Sequence, residues 1–328
     1  MKVLVTGGAG YIGSHAVEEL IAQGYQVVVI DNLTTGFQSN VHPEAKYYEV
    51  DLRNETALYD VFATEKNIGA IMHFAGAIVV SESVAEPLKY YDNNVHAVQV
   101  LLSVARAFKI KYFIFSSTAA VYGEPVQIPI KESDPKEPIN PYGSSKLAAE
   151  WLVQAWAEAY KSHYVIFRYF NVAGAHENGL IGIKNQHLSH LVPVILDAAL
   201  KNQQFLIYGQ DYPTKDGTCI RDFIHVVDLV KAHILGLEWA LKNQQSEIFN
   251  LGSATGYSVW EVYQTAQEVL NQNIKHLAVK RRPGDPTILL ANVEKAKAIL
   301  NWVPNKTLAE IIASEWNFRK QWMAKEDN

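Results

Sequence analysis

Tyr142 and Lys146 stand four residues apart in the stretch Asn140-Pro141-Tyr142-Gly143-Ser144-Ser145-Lys146-Leu147-Ala148-Ala149-Glu150. At the start of a helix that spacing puts a phenol and an ammonium on one face. A phenol with a pKa of about 10 is a poor base at neutral pH, so it can take a proton from an alcohol only where a fixed positive charge favours phenolate. Lys146 stands where that charge is needed. The same spacing also describes a solvated surface pair, so the chemistry depends on what surrounds it.

The surroundings lie at the ends of strands. Tyr112-Phe113-Ile114-Phe115 is an apolar run closing on Ser116-Ser117-Thr118-Ala119-Ala120. Ligands of an open parallel sheet bind at the carboxyl ends of its strands, so these hydroxyls point towards a cofactor crevice. Val3 to Thr6 runs into Gly7-Gly8-Ala9-Gly10-Tyr11-Ile12-Gly13, and Ser14 to Gln23 reads as a helix. Strand, glycine turn and helix in this order form a dinucleotide cradle: glycines at 7, 10 and 13 allow a tight turn, close approach to a pyrophosphate and close helix packing. The next strand, Gln26 to Ile30, ends in Asp31, which can accept hydrogen bonds from an adenosine ribose and would repel a 2′-phosphate, favouring NAD over NADP; the alternative is a helix cap. Asp51 and Leu52 are candidates for an adenine pocket, or Asp51 caps the following helix. Ala75-Gly76 after the strand Ala70 to Phe74 would let that strand end approach the cofactor, while His73 within it reads as a core histidine.

Strands and helices alternate from the N-terminus to Asn171, which predicts an α/β fold with a Rossmann-type doubly wound parallel sheet. A single helix is expected over about 87–108, with Asn93 and Asn94 in its middle recruited for contacts. Beyond Asn171 come a loop over 174–186, helices over 188–200, 227–241, 259–270 and 308–320, and strands over 205–208, 221–226 and 247–251, the last returning to the sheet. The expected division is an NAD-binding unit over 1–170, to which about 222–251 return, and a smaller interleaved substrate-binding lobe over 171–328.

Composition removes other classes. The chain has 328 residues, 48% hydrophobic and 19% charged, with a net charge of -5, which gives no basic field for nucleic acid. No window approaches about 20 apolar residues, so no membrane span is expected. The N-terminal apolar run meets glycine by Gly7, far short of an export signal, and the single cysteine, Cys219, fits a reducing compartment; a cytoplasmic protein is expected. Cys219 reads as a small buried side chain rather than a nucleophile. No cluster of residues suggests a metal.

The motifs, taken together and in order, resemble the UDP-glucose 4-epimerases of the extended short-chain dehydrogenase/reductase superfamily. The similarity runs nearly end to end: TGGAGYIGSH, HFAG, PLKYYDNNV, FIFSSTAAVYG, PYGSSK, RYFNVAGAH, YPTKDGTCIRDFIHVVDL, FNLGSATGYSV and RRPGDP. The resemblance implies catalysis by Tyr142, Lys146 and Thr118: Tyr142 takes the proton of a sugar 4-hydroxyl, Thr118 hydrogen-bonds the O4 region, and Lys146 holds the nicotinamide ribose. It implies tightly retained NAD against Gly7, Gly10, Tyr11, Ile12, Gly13, Asp31, Asn32, Asp51, Leu52, Phe74, Ala75, Gly76, Asn93, Ser116 and Tyr169, besides Tyr142 and Lys146. It also implies a UDP-sugar held by Asn171, His190, Leu191, Tyr208, Arg221, Arg282, Asp285 and Leu289, with Arg221 and Arg282 on the diphosphate, where planar forks suit it. Read without the family, Arg221 could equally pair with Asp222. A homodimer through helices near 87–108 and 142–160 is the family expectation.

The sequence departs from the family in four places. Thr118 stands where serine is frequent, Ile78 where some members carry lysine, His190 where asparagine is frequent, and Leu289 where some carry a bulky tyrosine. Leu289 therefore predicts room for N-acetylated sugars. Other 4-epimerases, acting on UDP-N-acetylglucosamine, UDP-xylose or UDP-glucuronate, fit the same motifs. A 4,6-dehydratase needs a further acid and base beside the threonine, and Ala119 and Ala120 can supply neither. A non-enzymatic NAD sensor would have no use for Tyr142, Lys146 and Thr118 together.

Overall fold

The structure is a computed structural model that describes residues 1–184, 190–281 and 286–326. Its centre is a seven-stranded, wholly parallel sheet. The strands are β1 (Lys2–Thr6), β2 (Gln26–Asp31), β3 (Lys46–Glu49), β4 (Ile68–His73), β5 (Tyr112–Ser116), β6 (His163–Tyr169) and, after three intervening short strands, β10 (Glu247–Leu251). They lie in the order β10-β6-β5-β4-β1-β2-β3. The inner strands are apolar on both faces because helices cover both. On one face α1 (Tyr11–Ala22) and α8 (Val226–Asn243) pack through Val17, Leu20, Leu229 and Leu237; on the other α2 (Glu55–Thr64), α5 (Ala97–Ala107) and α6 (Pro141–Tyr160) pack through Leu58, Leu101, Val153 and Trp156.

The three short strands are β7 (Asn171–Ala173), β8 (Phe205–Tyr208) and β9 (Ile220–His225), and with β11 (Gly256–Ser258), β12 (His276–Val279) and β13 (Ile288–Leu289) they build the second lobe. There β9 pairs with β7, β11 and β13, and β8 pairs with β12. A third core fills the space between α7 (Leu191–Leu200), α9 (Val259–Leu270) and α11 (Leu308–Glu326), around Ile195, Val262 and Ile312. Within 222–251, α8 and β10 lie on the large sheet whereas β9 belongs to the small one.

The helix expected over 87–108 is interrupted. It runs as α4 (Pro87–Tyr91), a π-helical turn over Asp92–His96, and α5. Asn94 supplies the reason, since its buried side chain receives the Ala77 amide at 2.8 Å and donates to the Ala77 carbonyl and Ser145 Oγ, each at 3.0 Å. Three hydrogen bonds to other segments fix that residue where a regular helix would not put it. A short helix before it, α3 (Val80–Ala85), was not expected. No helix among the described residues is long and apolar enough to cross a membrane.

Four buried histidines set an acid limit. Burial holds His15 and His73 down to about 3 and His225 and His233 down to about 4, from the usual 6.5. With folded values depressed, the unfolded chain takes up protons first, so stability present above about pH 6.5 is lost as the pH falls, down to about 4 for His225 and His233 and about 3 for His15 and His73. Each costs roughly 2 kcal/mol between pH 7 and pH 5. Buried Glu315 and Asp222, raised to about 8 and about 6, act in the opposite direction but are fewer. The urea midpoint at pH 5 is expected well below that at pH 7, and equal midpoints would refute the account.

Candidate active site

The start of α6 is fixed from two sides. Asn140 caps it, its Oδ1 receiving the Gly143 amide at 2.9 Å, and Pro141 supplies a preset first helical residue. Gly143 lies so near the short 3-10 turn Ala119–Tyr122 that a Cβ there would stand 2.5 Å from the Ala120 carbonyl oxygen. This contact brings Tyr142 to Thr118. The Thr118 hydroxyl caps the 3-10 turn, receiving the Ala120 amide at 3.1 Å, and reaches the Tyr142 phenol. Burial raises the phenol above its ordinary value and the Thr118 hydrogen bond pulls it back. Tyr90 meets the same ring edge-on, with centroids 6.4 Å apart.

Lys146 is buried, with Nζ 4.4 Å from the centre of the Phe115 ring. Burial lowers it to about 8, and the Glu150 carboxylate opposes that shift. An ammonium whose hold on its proton is weakened by burial, a phenol and a threonine hydroxyl therefore gather around the end of β5.

The glycine turn lies at the same, carboxyl end of the parallel sheet, two strands away from β5. Gly7 has a φ of 75°, and a Cβ there would stand 2.6 Å from the Ala75 amide nitrogen, so the turn touches the end of β4. A Cβ on Gly13 would stand 2.1 Å from the Gly7 carbonyl oxygen. The helix N-cap, Gly10, makes no side-chain cap, which leaves the first-turn amides of α1 for an anion. These features fit a dinucleotide pyrophosphate.

Around the turn, Asp31 at the end of β2 receives the Ala9 amide at 3.0 Å and the Leu33 amide at 2.9 Å; burial raises its carboxyl while these bonds oppose the rise. Asn32 donates to Asp51 at 3.0 Å, and Arg53 holds Asp51 by two side-chain bonds of 2.9 and 2.6 Å, keeping that carboxyl well below the usual range. Leu52 is buried beside them. Tyr11 donates to the Gly174 carbonyl at 2.5 Å, linking the turn to the second lobe, and Ile12 packs on the core. Phe74 leads to Ala75 and Gly76; Asn93 turns back to the Lys89 carbonyl at 2.8 Å, while Asn94 reaches the loop beyond Gly76. Tyr169 donates to Ser116 Oγ at 3.2 Å, and Ser116 in turn meets His233 Nε2 at 3.1 Å. Since His233 Nδ1 faces the Leu229 carbonyl at 2.9 Å and must donate to it, Nε2 is the acceptor for Ser116.

On the other side, Asn171 donates to the Asp222 carbonyl at 3.1 Å, and Arg221 Nη1 donates to the carbonyls of Ile220 and Pro286 at 2.9 and 2.8 Å. The Asp222 carboxylate receives the Ser253 amide and hydroxyl and the Ala291 amide, joining β9 to both neighbouring turns. Leu289 packs with Ala119, Val121, Tyr122, Ile130 and Leu147, directly behind the Thr118 turn. His190, Leu191 and Tyr208 sit at the start of α7 and the end of β8, on the second lobe. Arg282 and Asp285 lie outside the described residues. Ile78 is exposed, and Cys219 is buried. Residues that sequence reasoning passed over are Glu150 and Arg168, whose buried ion pair of 2.6 Å joins α6 to β6; the available signal was a glutamate one turn past Lys146 on an otherwise apolar stretch. Among the described residues no cluster is suited to a metal.

A sequence profile described as the NAD dependent epimerase/dehydratase family matches residues 3–252. The chain belongs to that family. Its fold and NAD as its cofactor follow. This family member is 49% identical to the UDP-glucose 4-epimerase of Lacticaseibacillus casei, over 98% of this chain and 97% of that one. A solved UDP-glucose 4-epimerase superposes with a TM-score of 0.95 at 46% identity, covering 98% of both chains. The UDP-glucose 4-epimerase of Bifidobacterium longum, solved with NAD+ and UDP, superposes with a TM-score of 0.91 at 38% identity, again over 98% of both.

Proposed function

We propose that the protein interconverts UDP-glucose and UDP-galactose by epimerisation at C4 of the sugar, through a transient 4-keto sugar, in galactose metabolism. The observation that carries this is the grouping of Tyr142, Thr118 and Lys146 around the end of β5, at the same end of the sheet as the glycine turn, in a chain so similar to named 4-epimerases. Bound NAD supplies the hydride acceptor and donor at C4. Tyr142 takes the proton of the 4-hydroxyl, with Thr118 passing it between O4 and the phenol, and later returns it. Lys146 holds ribose hydroxyls and adds positive charge beside the phenol. Gly7, Gly10 and Gly13 admit the pyrophosphate, and Asp31 the adenosine ribose. Asn171, His190, Leu191, Tyr208, Arg221, Arg282, Asp285 and Leu289 hold the UDP-sugar. Residues 1–170 with α8 and β10 form the NAD-binding unit, and the remainder of 171–328 receives the nucleotide sugar.

Ala119 and Ala120, next to Thr118, leave no acid or base for eliminating water, which argues against a dehydratase. The test is to add UDP-galactose to the purified protein without external NAD and assay UDP-glucose; absence of turnover with NAD bound would favour a sensor. Leu289, half-buried against the Thr118 turn, leaves space for a larger C2 substituent. Comparing UDP-galactose, UDP-N-acetylgalactosamine and UDP-xylose is expected to give turnover of the N-acetylated sugar within about tenfold of UDP-galactose, and its complete rejection would contradict the space argument.

A cytoplasmic homodimer completes the proposal. Val84, Leu88, Tyr91 and Trp151 are exposed by 64%, 82%, 42% and 62% on the adjoining faces of α3, α4 and α6, an apolar surface suited to a second copy. Light scattering is expected to report twice the chain mass, and a monomer at micromolar concentration would exclude it.

A further inference from the structure

Glu150 lies one turn beyond Lys146 on α6 and is wholly buried. Its carboxylate receives Arg168 Nε at 3.0 and 3.2 Å, Arg168 Nη2 at 2.6 Å and Ser117 Oγ at 2.5 Å. Ser117 directly precedes Thr118, and Arg168 directly precedes Tyr169. The guanidinium continues the chain: Nη1 donates to the Tyr122 hydroxyl at 3.0 Å, Tyr122 donates to Asn250 Oδ1 at 2.6 Å, and Asn250 donates to the Ile130 carbonyl at 2.9 Å. One carboxylate thus joins the helix of Tyr142 and Lys146 to the ends of β5 and β6. A buried ion pair is weak evidence for stability, because desolvating two charges offsets most of their attraction. Its position calls for another use.

We propose, on the basis of the epimerase reading above, that Glu150 is a positioning residue of the reaction, which fixes Thr118, Tyr169 and Lys146 relative to one another through Ser117, Arg168 and its own place on α6. It acts on Lys146 by charge as well. The groups around Lys146 are the Phe115 ring on β5, His73 on β4, held neutral by burial, and Glu150 one turn along α6, with Arg168 of β6 beyond; Tyr142 lies one turn back on the same helix, with Tyr90 of α4 against its ring. Burial works against the ammonium and Glu150 works for it. Neutralising Glu150 removes that support and exposes Lys146 to the uncompensated Arg168, two effects of the same sign.

The test uses the full-length protein with lysines labelled for NMR, the Lys146 signal being assigned by its loss in Lys146→Met. In Glu150→Gln the Lys146 titration midpoint is expected to fall by about one pH unit. The alkaline limb of kcat should move down by the same interval, with kcat at neutral pH reduced roughly ten- to hundredfold and KM within about threefold. Ser117→Ala, which removes a hydroxyl but no charge, should leave the midpoint in place. Where Glu150→Gln fails to fold, Glu150→Gln with Arg168→Gln removes both charges and carries the same measurement, with a midpoint still below the wild type. An unmoved midpoint and limb in a folded variant would overturn the proposal and leave Glu150 a structural residue. Lack of turnover by the wild type would instead overturn the epimerase reading, and the midpoint, which needs no turnover, still decides on Glu150.

Discussion

Tyr142→Phe is expected to lower kcat about a thousandfold while NAD content and UDP affinity stay within about threefold of the wild type. Positioned acid-base groups contribute roughly 10² to 10⁴ in rate, and this substitution removes only the ionisable oxygen. The ring remains, with its edge contact to Tyr90, so the fold and the crevice keep their shape. Thr118 does not replace the lost oxygen, because its hydroxyl already receives the Ala120 amide and its own ionisation lies far above that of a phenol. Tyr169 is no substitute either: burial pushes its phenol above the ordinary value, and its proton is directed into Ser116. The measurement is steady-state turnover with UDP-galactose beside calorimetric titration with UDP. Turnover within tenfold of the wild type would remove Tyr142 from the reaction.

The second large effect concerns the cofactor cradle. Gly13→Ala places a methyl 2.1 Å from the Gly7 carbonyl oxygen and 2.8 Å from its carbon. Both are backbone atoms that cannot swing aside, so α1 must withdraw from the turn. Overpacking of this kind costs about 1–3 kcal/mol in a core, and here the movement also spoils the aim of the first-turn amides. The purified variant is expected to carry less than a tenth of the NAD of the wild type, read by absorbance after acid release, and to melt several degrees lower. Stoichiometric NAD in the variant would show that the close approach is not needed.

Much of this arrangement was legible because local signals and tertiary demands agree. The strand over Val3 to Thr6, the turn at Gly7 to Gly13 and the carboxylate at Asp31 all occur where a doubly wound sheet needs them, and the helix expected over 259–270 is α9. Disagreements arise where distant residues decide. The glycines through Gly13 read as turn, yet α1 begins at Tyr11, since Gly13 packs on Gly7 from within the first helical turn. The π-helical turn over Asp92–His96 follows from Asn94 bonding to Ala77 and Ser145, which no window around Asn94 contains. The strands β7, β11 and β13 span two or three residues and exist through pairing with β9. They carry no period of their own. Glu150, Ser117 and Arg168 come from three elements, and only the fold brings their charges and hydroxyl together.

The place of β10 beside β6 has a consequence for how the chain is made. Synthesis delivers β6 first, and its apolar edge of Val165, Ile166 and Phe167 waits for a partner until Leu251 has left the ribosome. At about 5–20 residues per second that wait lasts roughly 4–16 seconds. An unpaired parallel edge is a template for pairing with other nascent chains, so the interval is when a chaperone would matter most. The seven-stranded sheet is thus finished by a strand translated late, near the three-quarter mark of the chain.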